Sequence, residues 1–246
     1  MSQLTIHSKA KAMLAYEAER LFCGISCGVM DQFTSQLGKP NALLGIHCGN
    51  MLTQDIAVPQ DISFIVVNSM VNRSAGDILN ERRGECLRAL TTLQEADWDI
   101  HNLSSISSPD LQGVAEILDD VLMKRVTHVV KENQRVRDGI AAIKNNNIEA
   151  LGKLMIESHS SSRDLFEVSH QNLEILMKIA QQQKDIFGCR LTGAGLGGNL
   201  LLLAKQQSAE SVLSKITETY EHETGLVSET TLCAIPGGVV VEDVSI

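Results

Sequence analysis

Apolar residues recur every three or four positions over residues 8–22, which predicts an amphipathic helix. One face of this helix carries Ala10, Leu14, Ala18, Leu21 and Phe22. A glycine-containing loop ends it, and a second short helix is predicted to begin near Asp31. Apolar runs at 41–49 and 51–58 flank Gly49-Asn50, a typical turn pair, and predict two neighbouring strands.

Residues 62–69 form a nearly continuous apolar run rich in β-branched side chains, which is typical of a central strand covered on both faces. The next segment, 77–97, has helical spacing, with an inner stripe formed by Leu79, Cys86, Leu90 and Leu93. A polar connection at 104–111 is predicted to open another helix. Further helices are predicted over 117–145, 147–166 and 170–183.

From Gly188 onward the period of the pattern changes to that of strands. Strands are predicted over 188–193, 198–205, 229–235 and 237–243, with one helix near 208–220. These strands and residues 62–69 are expected to form one sheet with helices on one face, an α+β fold. A weak boundary near residue 60 suggests two domains, 1–60 and 61–246.

Composition narrows the classes of function. The chain has 246 residues, 43% hydrophobic content and a net charge of −9, and it shows no basic run of the kind that binds nucleic acid. No stretch has the length of a membrane span, and the N-terminus lacks the apolar core of a secretory signal. We therefore expect a cytoplasmic protein without nucleic-acid or membrane partners.

The six cysteines are scattered, mostly among apolar residues, and are expected to act as small hydrophobic side chains. Cys23, Cys27, His47 and Cys48 could be considered as zinc ligands, but their spacing matches no standard site. No metal site is predicted.

Asp31 stands between Met30 and Gln32, directly after the glycine loop that contains Gly28. An acid in the first turn of a helix suits the positive end of the helix dipole. A carboxylate beside a glycine turn can also act as a catalytic group, because glycine lets a substrate approach the backbone. The pattern at this position leaves both interpretations open.

A second glycine loop lies within residues 191–203, where Gly193, Gly195, Gly197 and Gly198 separate two strand-like runs. A β-hairpin turn with positive φ angles would explain some of these glycines. Backbone amides that approach an anion or a sugar would explain the number better. The spacing matches neither a dinucleotide-binding fingerprint nor a P-loop.

Five segments in order resemble the galactokinase branch of the GHMP small-molecule kinases. They are CGVMDQF at 27–33, ILNERRGECLRAL at 78–90, HVVKENQRV at 128–136, GKLMIESHSSSRDLFEVSHQNLEIL at 152–176 and LTGAGLGG at 191–198. The resemblance implies an antiparallel sheet covered by helices, with a remnant of the family's N-terminal domain at 1–60 and its C-terminal domain at 61–246. It also implies a sugar kinase that moves the γ-phosphoryl of ATP, with Mg²⁺, to the anomeric hydroxyl of a hexose.

The same resemblance implies roles for individual residues. Asp31 matches the active-site aspartate that activates or orients the sugar hydroxyl, and Gly28 matches a glycine whose backbone lies against the sugar. The sugar-contacting tyrosine of the family is replaced by Leu79. The four glycines of the second loop match a motif at the floor of the active site, on the cofactor side, although Ala194 and Asn199 depart from the usual glycine and cysteine.

Two family segments have no counterpart in these residues, namely the opening sugar-binding segment and the Gly-Leu-Ser-Ser-Ser-Ala phosphate loop that also helps to hold Mg²⁺. We therefore expect an N-terminally truncated kinase that is inactive alone. Two alternatives remain, a non-catalytic sugar-binding or regulatory relative and a dimeric interaction module. The exposed remnant predicts a homodimer through residues 8–60.

Two further groups invite a functional interpretation. Ser158, His159 and Asp164 could suggest a catalytic triad, but no nucleophile elbow is present, so they are interpreted as helix packing and surface. Arg82-Arg83 could bind phosphate, but pairing with Glu81 and Glu85 on a solvated helix face is the favoured interpretation.

Overall fold

The computed structural model describes residues 6–23, 27–71 and 76–240. The chain divides into two compact units. The first comprises the chain up to Val58 together with the segment from Ala234 onward, and the second comprises Pro59–Cys233. The division after Val58 lies close to the boundary suggested near residue 60, whereas residues 234–240 join the first unit and not the second.

In the first unit, two helices precede a pair of strands. The elements are α1 (Ser8–Glu17), a π-helical turn (Ala18–Phe22), α2 (Met30–Leu37), β1 (Ala42–His47) and β2 (Leu52–Ala57). The strands are antiparallel, with Ala42 opposite Ala57 and His47 opposite Leu52. Both the short helix near Asp31 and the strand pair are thus confirmed. A small core of Ala12, Val29 and Phe33 holds the helices together.

Helix α1 packs on this core through another face and leaves its apolar stripe exposed, as the homodimer prediction requires. Ala12 is buried and Met13 and Tyr16 pack beside it. The stripe that the sequence groups on one face is exposed instead, with Leu14 at 54%, Leu21 at 82% and Phe22 at 93% exposure. The first unit therefore carries an uncovered apolar face.

In the turn between β1 and β2, Gly49 does not adopt the left-handed conformation. Met51 has that conformation, with φ of 56°, and its amide donates to the His47 carbonyl at 2.7 Å. The Asn50 side chain accepts from the Leu52 amide at 3.0 Å, as asparagine commonly does in turns. The Gly49-Asn50 pair correctly marked the turn, but the hydrogen bonds decided which residue adopts positive φ.

The strand predicted over 237–243 is wrong for the described part, since residues 237–240 form no strand. The Gly238 and Val239 amides donate to the carbonyls of Gly38 and Ser35, at 2.9 Å and 2.7 Å. Gly237 has φ of 101° and lies against Pro40. These bonds to the C-terminal end of α2 take the place of a ladder; residues 241–243 lie outside the described residues.

The second unit alternates a sheet with helices. Its elements are β3 (Ile62–Asn68), α3 (Gly76–Glu95), α4 (Leu111–Ala115), α5 (Asp120–Lys144), α6 (Ile148–Asp164), α7 (Gln171–Gln181), β4 (Ile186–Thr192), β5 (Asn199–Lys205), α8 (Ala209–Thr224) and β6 (Thr230–Cys233). Single 3₁₀ turns lie at Leu103–Ser105, Ser108–Asp110 and Gln206–Ser208. The sheet has the order β4-β5-β3-β6 and is antiparallel throughout. The expected α+β fold with an antiparallel sheet is confirmed.

Alternation along the strands places the main core on one face of this sheet. Ile65 lies opposite Leu202 and Val67 lies opposite Leu200, and all four are fully buried. They share one core cluster with apolar residues of α7 and α8. A second cluster forms between α3, α4 and α5, around fully buried side chains such as Leu93, Val114 and Val126.

The edge strand β4 is covered by helix α6 through a contact between two glycines. A Cβ atom added to Gly152 would lie 2.0 Å from the Phe187 carbonyl oxygen, and one added to Gly188 would lie 2.1 Å from the Gly152 oxygen. Only glycine permits this approach of helix and strand backbones. Covering the edge in this way protects a strand that could otherwise pair with another chain.

Within residues 6–23, 27–71 and 76–240, no helix combines the length and the apolar character needed to cross a membrane.

Candidate functional site

Asp31 lies in the first turn of α2, which begins after Val29. Val29 and Phe33 are buried and fix this end of the helix, and the Phe33 amide donates to the Val29 carbonyl at 3.0 Å. Asp31 itself is exposed, and among the described residues its carboxylate has no hydrogen-bond or ion-pair partner. The helix dipole favours an acid here. The carboxylate is free to accept a proton, or a hydrogen bond from a hydroxyl group, from a solute.

Gly28 is exposed and has no structural need to be glycine within the described residues. Its φ lies outside the left-handed region, and no described atom lies within 4 Å of an added Cβ. Neither backbone strain nor packing therefore accounts for it.

The neighbouring side chain Gln32 ties the start of α2 to the segment before the loop. Its amide nitrogen donates to the Glu19 carboxylate and lies 3.8 Å from the Cys27 sulfur. Its amide oxygen is buried and has no hydrogen-bond partner among the described residues. Gln32 thus steadies the helix end that carries Asp31.

In the second unit, the glycine loop joins β4 to β5, and every glycine in it has positive φ. The angles are 77° at Gly193, 72° at Gly195, 112° at Gly197 and 74° at Gly198. The conformation of the loop therefore explains all four glycines, which exceeds what a simple hairpin turn requires. Ala194 does not have positive φ, whereas Leu196 does, at 60°.

Close contacts hold the loop in this conformation. The Leu196 amide donates to the Val168 carbonyl at 2.7 Å, and a Cβ on Gly195 would lie 2.0 Å from the same oxygen. The Gly198 carbonyl accepts from the Ser69 amide, also at 2.7 Å. Among the described residues, no protein acceptor receives the amides of the other loop positions, 193–195, 197 and 198. Unpaired backbone amides that are grouped in one loop are available to bind an anion.

His159 supports the strand that leads into this loop. Its Nδ1 accepts the Leu191 amide at 3.0 Å, so Nε2 carries the proton and donates to Glu174 at 2.9 Å. Burial lowers the pKa of His159, although Glu174 opposes this shift. A neutral imidazole with both nitrogens occupied is a structural group.

The other two members of the possible triad have separate partners. Ser158 donates to Glu132 at 2.6 Å, and Asp164 accepts from Arg163 at 2.7 Å. Ser158, His159 and Asp164 therefore do not form a relay, and the interpretation as packing is confirmed.

Leu79 lies half-buried in the first turn of α3. It is on the side of the predicted inner stripe, of which Leu93 is fully buried while Cys86 and Leu90 are half-buried. A leucine at this position packs but offers no hydrogen bond to a sugar hydroxyl.

Arg82 pairs with Glu81 at 3.2 Å and with Glu85 at 2.9 Å, as predicted. The prediction that these pairs lie on a solvated helix face is wrong, because the side chains of Arg82 and Glu85 are only 11% and 6% exposed. The physical reason is a third charged residue, Arg125 of α5, which packs against Glu85 at 2.6 Å and buries it. This arginine was not singled out from the sequence.

The described residues offer no group of three or more His, Cys, Asp or Glu side chains that could hold a metal ion. Cys23, Cys27 and Cys48 are free thiols. Because Mg²⁺ in kinases is held by one or two carboxylates together with substrate phosphates, this finding concerns only an all-protein metal cluster within the described residues.

Comparison with known proteins matches residues 140–222 to the family model for the C-terminal region of the GHMP kinases. A galactokinase from Roseiflexus sp. is 33% identical over 240 residues, which cover 97% of this chain and 61% of that protein. A galactokinase from Haemophilus influenzae is 39% identical over 234 residues, covering 93% of this chain and 59% of that protein.

Solved structures agree with these relatives. Galactokinase from Lactococcus lactis, complexed with galactose, superposes with a TM-score of 0.91 at 26% identity, over 96% of this chain and 61% of that chain. A homoserine kinase from Cytophaga hutchinsonii, with a TM-score of 0.60 at 12% identity, shares the fold. The chain spans about three fifths of the length of the galactokinases it matches. Residues 140–222 thus match the C-terminal region of the GHMP kinases, and 93–97% of the chain is similar to galactokinases.

Proposed function

We propose that this chain is the catalytic-aspartate and C-terminal part of a galactokinase-like sugar kinase, which phosphorylates a hexose at its anomeric hydroxyl with ATP. The observation that carries the proposal is the similarity to galactokinases along 93–97% of the chain. The galactose complex of the Lactococcus lactis relative makes galactose the first sugar to test. In this scheme residues 1–60 are a remnant of the family's N-terminal domain, residues 61–246 are the C-terminal domain, and the protein is cytoplasmic.

In this scheme Asp31 accepts the proton of the attacking hydroxyl or orients that hydroxyl. Its exposure and its lack of a protein partner support the role, since a general base must be open to its substrate. Gly28 lets the sugar approach the backbone, which explains a glycine that nothing in the described residues requires. Leu79 contacts the sugar through its apolar side chain alone.

The glycine loop would contact the phosphates of ATP through its free amides. Phosphoryl transfer depends mainly on positioning and charge stabilisation, and backbone amides provide both without a charged side chain. We expect ligands for the Mg²⁺ that accompanies ATP to come from a phosphate loop, which these residues do not contain.

The 246 residues contain no Gly-Leu-Ser-Ser-Ser-Ala segment, so we expect the chain alone to turn over little or no ATP in the presence of sugar. The experiment that tests the proposal is a fusion of the N-terminal two fifths of the Haemophilus influenzae galactokinase to residue 1. The fusion should phosphorylate galactose. Sugar-dependent ATP turnover by the isolated chain at ~1–100 s⁻¹, the usual range for kinases, would contradict our expectation.

Asp31→Asn in the fusion should lower kcat by about 10²–10⁴-fold, the usual contribution of a general acid–base group. The matched control is Glu17→Gln, since Glu17 is another exposed acid of the first unit. If the fusion binds galactose but neither it nor the control turns over ATP, the non-catalytic sugar-binding alternative is favoured. If Asp31→Asn is as active as the control, Asp31 is only a helix-start residue.

We also propose that the isolated chain forms a homodimer through residues 8–60. The exposed Leu14, Leu21 and Phe22 support this, because a contiguous apolar surface of this kind recruits a partner. No nucleic-acid or membrane partner is proposed, in keeping with the net charge of −9.

A further inference from the structure

The segment 165–168, which follows helix α6, is the support on which the glycine loop rests. The buried Val168 provides the carbonyl that accepts the Leu196 amide at 2.7 Å. Gly195 passes so close to the same oxygen that an added Cβ would lie 2.0 Å from it. A shift of the Val168 carbonyl would therefore be transmitted directly to the loop.

Two arginines hold this segment by its backbone. Arg125 donates from one guanidinium nitrogen to the Leu165 carbonyl at 2.5 Å, and Arg82 donates from Nε to the Phe166 carbonyl at 2.8 Å. Arg125 also binds the Glu167 carboxylate at 2.7 Å. Glu167 has φ of 57°, a conformation that costs a non-glycine residue roughly 1–2 kcal/mol and persists only where the surroundings impose it.

Glu85 aligns the two arginines from the opposite side. One of its carboxylate oxygens accepts from Arg125 Nε at 2.6 Å and from Arg82 at 2.9 Å. Burial alone would raise the pKa of Glu85, but bonds to Arg125 and Arg82 lower it overall. Arg125 is 2% exposed and Glu85 is 4% exposed. A buried ion pair is costly to desolvate and is weak evidence for stability, so the arrangement needs another explanation.

We propose that Arg82, Glu85 and Arg125 are positioning residues for the glycine loop, acting through the backbone of residues 165–168. The planar, forked guanidinium is essential to this role, because Arg125 uses separate nitrogens for Glu85, Leu165 and Glu167. The idea that the positioned loop receives a phosphate rests on the proposed function. The positioning role of Arg82, Glu85 and Arg125, which we call the clamp, does not depend on it.

The test is hydrogen exchange of single amides in the full 246-residue chain, measured by NMR without ATP or sugar. Arg125→Lys retains the charge but loses the fork. We expect the Leu196 amide to exchange at least tenfold faster relative to the Leu202 amide in the central strand β5. Arg82→Lys, at a less buried position, should change the same ratio in the same direction by about threefold.

The matched control is Val126→Ala, which creates a cavity next to Arg125 in the same helix without touching the clamp. It should accelerate both amides together and leave their ratio unchanged. If Arg125→Lys also leaves the ratio unchanged, whether or not both amides accelerate, the positioning role is overturned. Since no ligand or turnover is involved, this result is independent of whether the fusion is an active kinase.

Discussion

Gly28 in the first unit and Gly195 in the second occupy opposite environments. An added Cβ would meet no described atom at Gly28, whereas at Gly195 it would lie 2.0 Å from the Val168 carbonyl oxygen, on a backbone with φ of 72°. The second glycine is required by the protein's own structure, and the first is not. Glycines that resemble one another in sequence therefore need different explanations, and the one proposed for Gly28 is close approach of a sugar to its backbone.

The surroundings of the two sites differ in the same way. Asp31 and the apolar side chains of Leu21 and Phe22 are exposed in the first unit. In the second unit, buried polar groups such as Arg125 and His159 hold the segments that support the glycine loop. Contacts within the second unit thus fix the local geometry of its loop, whereas the proposed functional groups of the first unit are exposed and make few contacts within the described residues.

The largest expected effect is on stability at the loop. Gly195→Ala should lower the free energy of unfolding by about 2–4 kcal/mol, since it adds left-handed strain to a clash with backbone. Gly28→Ala should change it by less than about 0.5 kcal/mol. The two variants are compared by urea unfolding followed by circular dichroism. The fluorescence of Trp98, the single tryptophan, reports on the second unit. Equal effects of the two substitutions would remove the contrast.

The second prediction concerns acid. Burial lowers the pKa of His128 from 6.5 to about 4, although Glu132 opposes this shift. The unfolded chain therefore binds a proton below pH 6.5 that the folded chain does not, so stability is lost as pH falls from 6.5 toward 4. Between pH 7 and pH 5 this amounts to about 2 kcal/mol in the free energy of unfolding.

Urea unfolding monitored at Trp98 over that pH range checks the value. The control variant His128→Gln cannot titrate and should show a flatter pH profile. A profile equally steep in the variant would assign the acid sensitivity to other groups, of which His159 is the first candidate because its pKa is also lowered by burial.

A third, smaller effect is expected on association. Phe22→Ser removes the most exposed large apolar side chain, at 93%, and should weaken the proposed homodimer at least tenfold, or about 1.4 kcal/mol. The control is Leu87→Ser, which removes an exposed leucine from α3 in the second unit. Sedimentation equilibrium measures both. A wild-type chain that is monomeric at tens of micromolar would refute the dimer.

The smallest effect is expected at Leu79 in the fusion with the Haemophilus influenzae segment. Leu79→Tyr adds a hydroxyl where related kinases have a tyrosine, and should lower KM for galactose about threefold to tenfold, the usual net value of one hydrogen bond. Leu79→Phe supplies the ring without the hydroxyl. If the two variants have the same KM, Leu79 only packs the inner side of α3.

Local patterns predicted the elements well, because a half-buried helix or strand must repeat its apolar residues with its own period. Helix α5 and strand β3 lie within a few residues of their predicted positions. The inner stripe of α3 is nearly right but shifted. The sequence stripe includes Cys86 and Leu90, whereas the structure buries Glu85, Ala89 and Leu93, which are also spaced four apart. Glu85, which shares the four-residue spacing of Ala89 and Leu93, was the sequence signal that could have indicated the buried cluster with Arg82 and Arg125.

The failures have a common cause. Residues 237–240 form no strand, because their amides bond to carbonyls near the end of α2, about 200 positions earlier. Ala194 replaces a glycine of the related motif, but the non-glycine residue of this loop with positive φ is Leu196, whose amide donates to the Val168 carbonyl. In each case a partner distant in sequence supplies the deciding hydrogen bond, and periodicity carries no information about that partner.

The sequence by itself determined the α+β class, most of the helices and strands, the two glycine loops and the similarity to sugar kinases, since these depend on local composition, spacing and motif order. Only the tertiary structure decided that Ala12 is the residue by which α1 packs, that Glu85 is buried between Arg82 and Arg125, and that the glycine loop rests on the Val168 carbonyl. The physical reason is that burial and ion pairing depend on which surfaces meet in three dimensions. Arg125 and Glu85, for example, lie 40 positions apart along the chain, but in the fold Arg125 Nε is 2.6 Å from a carboxylate oxygen of Glu85.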